Sequence, residues 1–120
     1  MELEAKKYLH DMRTAAELIA NFTEGKSLAD YEADAMMRSA VERQFEIIGE
    51  ALAKLTHRDP ATASRISEHR RIIAFRNILI HGYAEVDVRV VWDIVTTKLP
   101  TLRDEVEALD RELERDTSNE

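Results

Sequence analysis

Apolar residues recur three and four positions apart along most of this 120-residue chain. That spacing places them on one side of an α-helix, whereas a half-buried strand would alternate every second residue. Five helical segments are predicted, at about 3–22, 27–55, 60–66, 70–80 and 88–109. We therefore expect an all-α fold: an antiparallel four-helix bundle with one short extra helix.

The expected helix boundaries follow from residues that start or stop helices. Polar N-cap residues precede three of the segments: Ser27 with Asp30 three residues later, Asp59 followed by Pro60, and Asp87. Gly25 and Gly82 are expected C-terminal stops. Pro100 lies inside the last apolar stripe and is expected to kink that helix or split it, because proline removes one backbone donor.

Composition restricts the class of protein. The chain has no cysteine, which excludes disulfides and thiolate metal sites. No apolar run approaches the ~20 residues that span a bilayer, and the first residues do not resemble a signal peptide. We therefore expect a cytoplasmic protein without a membrane partner.

Charge is spread unevenly along the chain. The net charge of −7 argues against broad, non-specific binding to nucleic acid, DNA included. Residues 103–120 carry −5 of it, and we expect one helical domain at 1–110 and an acidic, frayed tail at 111–120. Residues 64–83 carry a local +3, which indicates either an anion-binding neighbourhood or arginines on a solvated helix surface.

The segment Arg76-Asn-Ile-Leu-Ile-His81-Gly-Tyr83 carries the chemistry. A guanidinium binds phosphate oxygens in pairs, and an imidazole exchanges a proton near neutral pH. Together they suit RNA cleavage by its own 2′-hydroxyl, and a two-fold pair of chains could complete such a site. The structural alternative is that His81 caps helix carbonyls while Arg76 pairs with a glutamate.

Other polar residues have supporting roles in this prediction. Arg43, Glu46 and Glu50 fall on one side of the second long helix. A carboxylate there could orient Arg76 or His81, or else these residues form pairs within the helix. Asn77 could position phosphate, hold His81 one turn on, or be structural. Gly49, in mid-helix, predicts the close approach of another helix, such as that of a dimer mate.

The four histidines do not have the spacing of a metal site. No two of them lie three or four residues apart, so no two share one turn of a helix. The chain also lacks a glycine-rich phosphate loop. We expect neither a metal nor a cofactor.

Two stretches give the chain a resemblance to a known family. Residues 38–51 read Arg-Ser-Ala-Val-Glu-Arg-Gln-Phe-Glu-Ile-Ile-Gly-Glu-Ala, and residues 76–83 follow with Arg, a gap of four and His, then Tyr83. Val86-Asp87, Val91-Trp92 and Leu99-Pro100-Thr-Leu102 add to the likeness. Over residues 3–110 the chain resembles the HEPN superfamily, and specifically the HepT-like toxins that pair with MNT-type minimal nucleotidyltransferases.

That resemblance implies a metal-independent endoribonuclease that acts as a homodimer on an RNA such as tRNA or mRNA. Arg76 and His81 match the catalytic pair of the family. Tyr83 matches the hydroxyl to which the nucleotidyltransferase antitoxin of a type VII toxin–antitoxin system transfers AMP. The rival interpretation is a non-catalytic module that binds a nucleotide or the partner.

Overall fold

The computed structural model describes residues 3–82 and 86–118, and every regular element in this part of the chain is helical. The elements are α1 (Leu3–Thr23), α2 (Leu28–Ala33), α3 (Ala35–Arg58), α4 (Pro60–Ala63), α5 (His69–His81), α6 (Val88–Asp93), a π-helical turn (Ile94–Lys98) and α7 (Leu99–Ser118). The predicted all-α bundle is confirmed.

The core lies where α1 packs against α3 on one side and against α7 on another. Positions of the predicted stripes fill it, among them Met12, Ile19, Ile48, Leu52 and Val106, all of which are fully buried. Phe22, the last residue of the predicted α1 stripe, is 36% exposed and lies at the edge of the core. The three- and four-residue spacing therefore predicted the core residues of α1 correctly except for Phe22, which is partly exposed.

The second long helix begins later than predicted. Ser27 and Asp30 do form a reciprocal capping box, with N–H···O distances of 2.9 and 3.2 Å. The box starts only the six residues of α2, because Asp34 takes an extended conformation and caps a new helix. Its carboxylate accepts a hydrogen bond from Met37 N at 3.0 Å. The chain therefore has a short helix, α2, followed by a long one, α3, where a single helix was predicted.

The predicted interruption near Pro100 takes the form of a π-helical turn. Proline cannot donate to the carbonyl four residues earlier. In the preceding residues the helix widens, and the hydroxyls of Thr96 and Thr97 donate to carbonyls of the previous turn. The chain thus stays helical from Val88 to Ser118 and does not break.

The packed domain extends past the boundary predicted at residue 110. Leu113 continues the apolar stripe four residues after Leu109 and is 2% exposed. Arg65 donates to both carboxylate oxygens of Glu112, at 3.0 and 2.8 Å. These contacts hold α7 in place where a frayed tail was expected, and they correct that boundary.

Helix α5 is the least covered of the long helices. It packs mainly against α3, where the rings of Phe45 and Phe75 meet edge to face at 5.4 Å. Only Leu79 among its residues is fully buried. A cleft of about 450 Å³ separates the first half of α5 from the π-helical turn and α7. One side of α5 is therefore available for binding.

Candidate active site

The candidate site lies at the C-terminal end of α5. Gly82 follows the helix as predicted, and its N–H donates to the carbonyl of Ile78 at 2.8 Å. Its φ is −118°, so the stop does not depend on a left-handed glycine. The predicted modification residue, Tyr83, lies outside the described residues.

Gly49 positions the side chain of Arg76. A Cβ placed on Gly49 would lie 2.3 Å from Cβ and 2.8 Å from Cγ of Arg76, which is too close for any real side chain. The predicted close approach to Gly49 is therefore present, and it is made by α5 of the same chain. The bare backbone of α3 leaves room for the first carbons of the arginine.

The guanidinium of Arg76 has little to neutralise it. Its Nη1 donates to Oδ1 of Asn77 at 3.1 Å. Its Nε is buried and has no hydrogen-bond partner in the described part of the chain. No carboxylate among the described residues forms an ion pair with it. An amide oxygen carries no net charge, so most of the positive charge of Arg76 remains available to an anion.

His81 is exposed at the last turn of α5. No hydrogen bond of its ring is found within residues 3–82 and 86–118. Five residues along a helix correspond to a rotation of about 140°, so Arg76 and His81 leave α5 in different directions. Asn77 shares the face of His81 and holds the Arg76 guanidinium. Asn77 thus binds Arg76 and lies one turn before His81, and no hydrogen bond joins Arg76 to His81 among the described residues.

The expected support of Arg76 or His81 by residues of α3 is not seen among the described residues. Glu50 pairs with Lys54 at 3.5 Å. Neither Glu46 nor Glu50 forms an ion pair with Arg76 or His81 among the described residues, and Arg43 is exposed with no partner there. The intrahelical pair that does form joins Glu50 to a lysine rather than to Arg43.

Glu42 is a further titratable residue that the sequence did not single out. Burial raises the pKa of its carboxyl, nearby Glu46 raises that pKa further, and Arg38 lowers it. The signal available in the sequence was the spacing of Glu42 and Glu46, since residues four apart share a helix face. The carboxylates of Glu42 and Glu46 therefore lie close together on one face of α3.

The described residues contain neither a metal-binding cluster nor a membrane-spanning helix. No group of three or more His, Asp and Glu side chains in residues 3–82 and 86–118 is arranged to hold a metal ion. In the same part of the chain, none of the helices has both the length and the apolar character that crossing a membrane requires.

The chain is similar to proteins that are named as ribonucleases. The family model described as "Ribonuclease HepT-like" matches residues 12–109. A Thermococcus cleftensis protein named "Probable ribonuclease HepT" is 37% identical over 112 residues, which cover 91% of this chain and 98% of that protein.

A second relative is longer. A Methanocaldococcus jannaschii protein named "Gamma-glutamylcyclotransferase and putative RNase" is 30% identical over 119 residues, or 99% of this chain. The chain spans only 53% of the length of that relative. No solved structure matches the chain at a significant level.

Proposed function

This chain belongs to the HepT-like ribonuclease family, and on that basis we propose that it is an endoribonuclease that needs no metal ion. It would be the toxin of a type VII toxin–antitoxin pair. The observation that carries the proposal is the state of Arg76, whose guanidinium has no carboxylate partner among the described residues and retains a buried, unpaired Nε–H. An unneutralised guanidinium and an exposed imidazole within the last two turns of one helix suit the binding and cleavage of a phosphodiester.

The reaction uses the RNA's own nucleophile. An imidazole nitrogen of His81 takes the proton of a 2′-hydroxyl, and the 2′-oxygen then bonds to the adjacent phosphorus. The bond from phosphorus to the 5′-oxygen breaks, and a second imidazole returns a proton to that oxygen. Arg76 stabilises the negative charge that gathers on the phosphorane oxygens. The products are a 2′,3′-cyclic phosphate and a 5′-hydroxyl.

We further propose that the protein acts as a homodimer, which would supply the second imidazole. Ile78 is 52% exposed and lies three residues before His81 on α5. A partner copy packed on this end of α5 would remove the apolar surface of Ile78 from water. A two-fold pairing of α5 helices through Ile78 would bring both copies of His81 to the same RNA strand.

Tyr83 is the proposed point of control. It follows His81 by two residues, so AMP on its hydroxyl would add a bulky anion beside Arg76 and His81. That anion would compete with the substrate phosphate by occupying the site and by repulsion. The proposed donor is a nucleotidyltransferase antitoxin that uses ATP.

Expression of the chain alone tests the nuclease proposal. The natural sequence should slow growth and degrade cellular RNA, and His81→Ala should abolish both effects. His69→Ala, which changes a histidine at the opposite end of α5, is the matched control and should behave like the natural sequence. If the natural sequence and His81→Ala both leave RNA intact while the antitoxin still binds, the non-catalytic module is the correct interpretation.

Intact mass tests the modification. After incubation with the nucleotidyltransferase and ATP, the protein should gain AMP, whereas Tyr83→Phe should not. Tyr8→Phe, in α1, should gain AMP as the natural sequence does. Equal labelling of Tyr83→Phe would remove Tyr83 from this role.

A further inference from the structure

One side of α5 presents a continuous exposed stripe. Arg70, Ala74, Asn77 and His81 are separated by four, three and four residues, so they share one face of the helix. All four are exposed. The stripe runs along almost the whole of α5 and ends at the imidazole and at the amide that holds Arg76.

The arginines near this stripe are not equivalent. Arg65 is neutralised by Glu112 through two hydrogen bonds of 3.0 and 2.8 Å. Arg71 pairs with Glu68 at 3.0 Å, and Glu68 also binds Lys98 at 3.2 Å. Lys98 and Arg71 together lower the pKa of the Glu68 carboxyl, so it stays ionised and holds both cations. Arg65 therefore has an anion of its own, and Arg71 shares Glu68 with Lys98.

Arg70 has no such partner. Neither an ion pair nor a hydrogen bond of its side chain is found among the described residues, and it is exposed. Arg71 is the next residue, but one residue turns a helix by about 100°, so Arg71 points away from the stripe. Of the four arginines behind the local positive charge, Arg65 and Arg71 are thus paired with a carboxylate, whereas Arg70 and Arg76 have no carboxylate partner in the described part of the chain.

We propose that Arg70 is a second phosphate-binding position for single-stranded RNA. This inference rests on the proposed ribonuclease function and extends it. His81 lies eleven positions after Arg70, which corresponds to roughly 16 Å along the helix. A single phosphate cannot bridge that distance, whereas a strand with a phosphate on every nucleotide can. The RNA therefore lies along α5, with the cleaved phosphate at His81 and a more distant one at Arg70.

Binding to uncleaved RNA tests the inference. The His81→Ala protein is titrated into a fluorescent single-stranded oligonucleotide, and anisotropy is followed at several salt concentrations. Adding Arg70→Ala should weaken binding about fivefold at low salt, the effect expected of one exposed charged contact. It should also make the plot of log affinity against log salt shallower by about 0.7, the share of one single-strand phosphate.

Arg71→Ala is the matched control, because it removes the same charge from the adjacent residue. It should leave both the affinity and the salt slope of the His81→Ala protein unchanged. Arg70→Lys retains the charge and should retain the slope. A dinucleotide, which is too short to reach Arg70, should bind the Arg70→Ala protein as well as its parent.

The outcomes separate this inference from the function on which it rests. RNA binding that is equally affected by Arg70→Ala and Arg71→Ala, or by neither, overturns the Arg70 position and leaves the nuclease proposal standing. If the parent protein binds no RNA at all, both fail.

Discussion

Arg76 has a buried hydrogen-bond donor without an acceptor among the described residues, which is uncommon in a folded protein. A buried N–H group without an acceptor costs about 1–3 kcal/mol, and its Nε is such a group in the described part of the chain. An anion or a second copy that reaches this donor would recover part of that cost. In the proposed complex, the substrate phosphate or a second copy would supply the acceptor that this donor lacks among the described residues.

Glu42 leads to a prediction about pH. Its folded-state pKa is raised, chiefly by burial and then by Glu46, so the ionised carboxyl opposes folding at neutral pH. That penalty vanishes once the pH falls below the unfolded value of about 4.3. Glu42→Gln should therefore raise the thermal unfolding midpoint at neutral pH and have little effect at more acidic pH.

Glu24→Gln is the control for Glu42→Gln, since Glu24 is an exposed carboxyl near the end of α1. Its midpoint should match the natural protein at both pH values. A Glu42→Gln protein that unfolds at a lower temperature at neutral pH would contradict the account of that carboxyl.

The types of side chain in the site were predictable, but their partners were not. Arginine followed by histidine at the end of a helix indicates phosphate chemistry from the residues alone. The hydrogen bond from Arg76 to Asn77 depends on the direction that the arginine side chain takes between α3 and α5. No local sequence pattern predicts that direction. For the same reason the expected support from Glu46 and Glu50 remains a prediction, because the described residues show no ion pair or hydrogen bond from either carboxylate to Arg76 or His81.

Helix ends were more predictable than helix partners. The caps at Asp59 and Asp87 form as the sequence indicated, because a cap is a contact between residues two or three apart. The break at Asp34 was missed, because the Ser27 signal came first and both residues satisfy the same local rule. Leu113 was missed because a single apolar residue in an acidic segment shows its role only once α7 is packed.

The contact between α3 and α5 predicts an effect of Gly49→Ala. On an open helix surface this change would add about 1 kcal/mol of stability. Here the new Cβ would collide with Arg76, so the free energy of unfolding should fall by about 1–3 kcal/mol. RNA cleavage should fall as well, because Arg76 must move. Urea unfolding and a cleavage assay measure the two effects.

Ser39→Ala supplies the comparison on the same helix, at an exposed position of α3. It should increase the stability by a few tenths of a kcal/mol at most, as helix propensity alone predicts. If Gly49→Ala were also stabilising and fully active, the packing of Arg76 on Gly49 would not be what positions the guanidinium.

In the described part of the chain, α5 packs against α3 on one side and borders a cleft on another. The sequence predicted the bundle because each long helix carries a continuous apolar stripe. It did not predict the cleft of about 450 Å³ beside α5, since a cleft depends on how far apart two helices settle. Ile78 gave no distinct signal either, because an apolar residue on a helix is normally counted toward the core.

Ile78→Glu tests the proposed homodimer. A charged side chain in place of this exposed isoleucine should disfavour an apolar interface while leaving the core intact. Light scattering should show a dimer for the natural protein and a monomer for the variant. Met36→Glu changes another exposed apolar residue, at the start of α3, and should remain dimeric. A natural protein that is monomeric at micromolar concentration would contradict the composite site.

The most direct test of the account is the chemistry of the RNA ends that the purified protein produces in the presence of a metal chelator. The account predicts cleavage that leaves 2′,3′-cyclic phosphate and 5′-hydroxyl ends and that is lost in both Arg76→Ala and His81→Ala. Cleavage that the chelator stops, other end groups, or undiminished cleavage by either variant would contradict it.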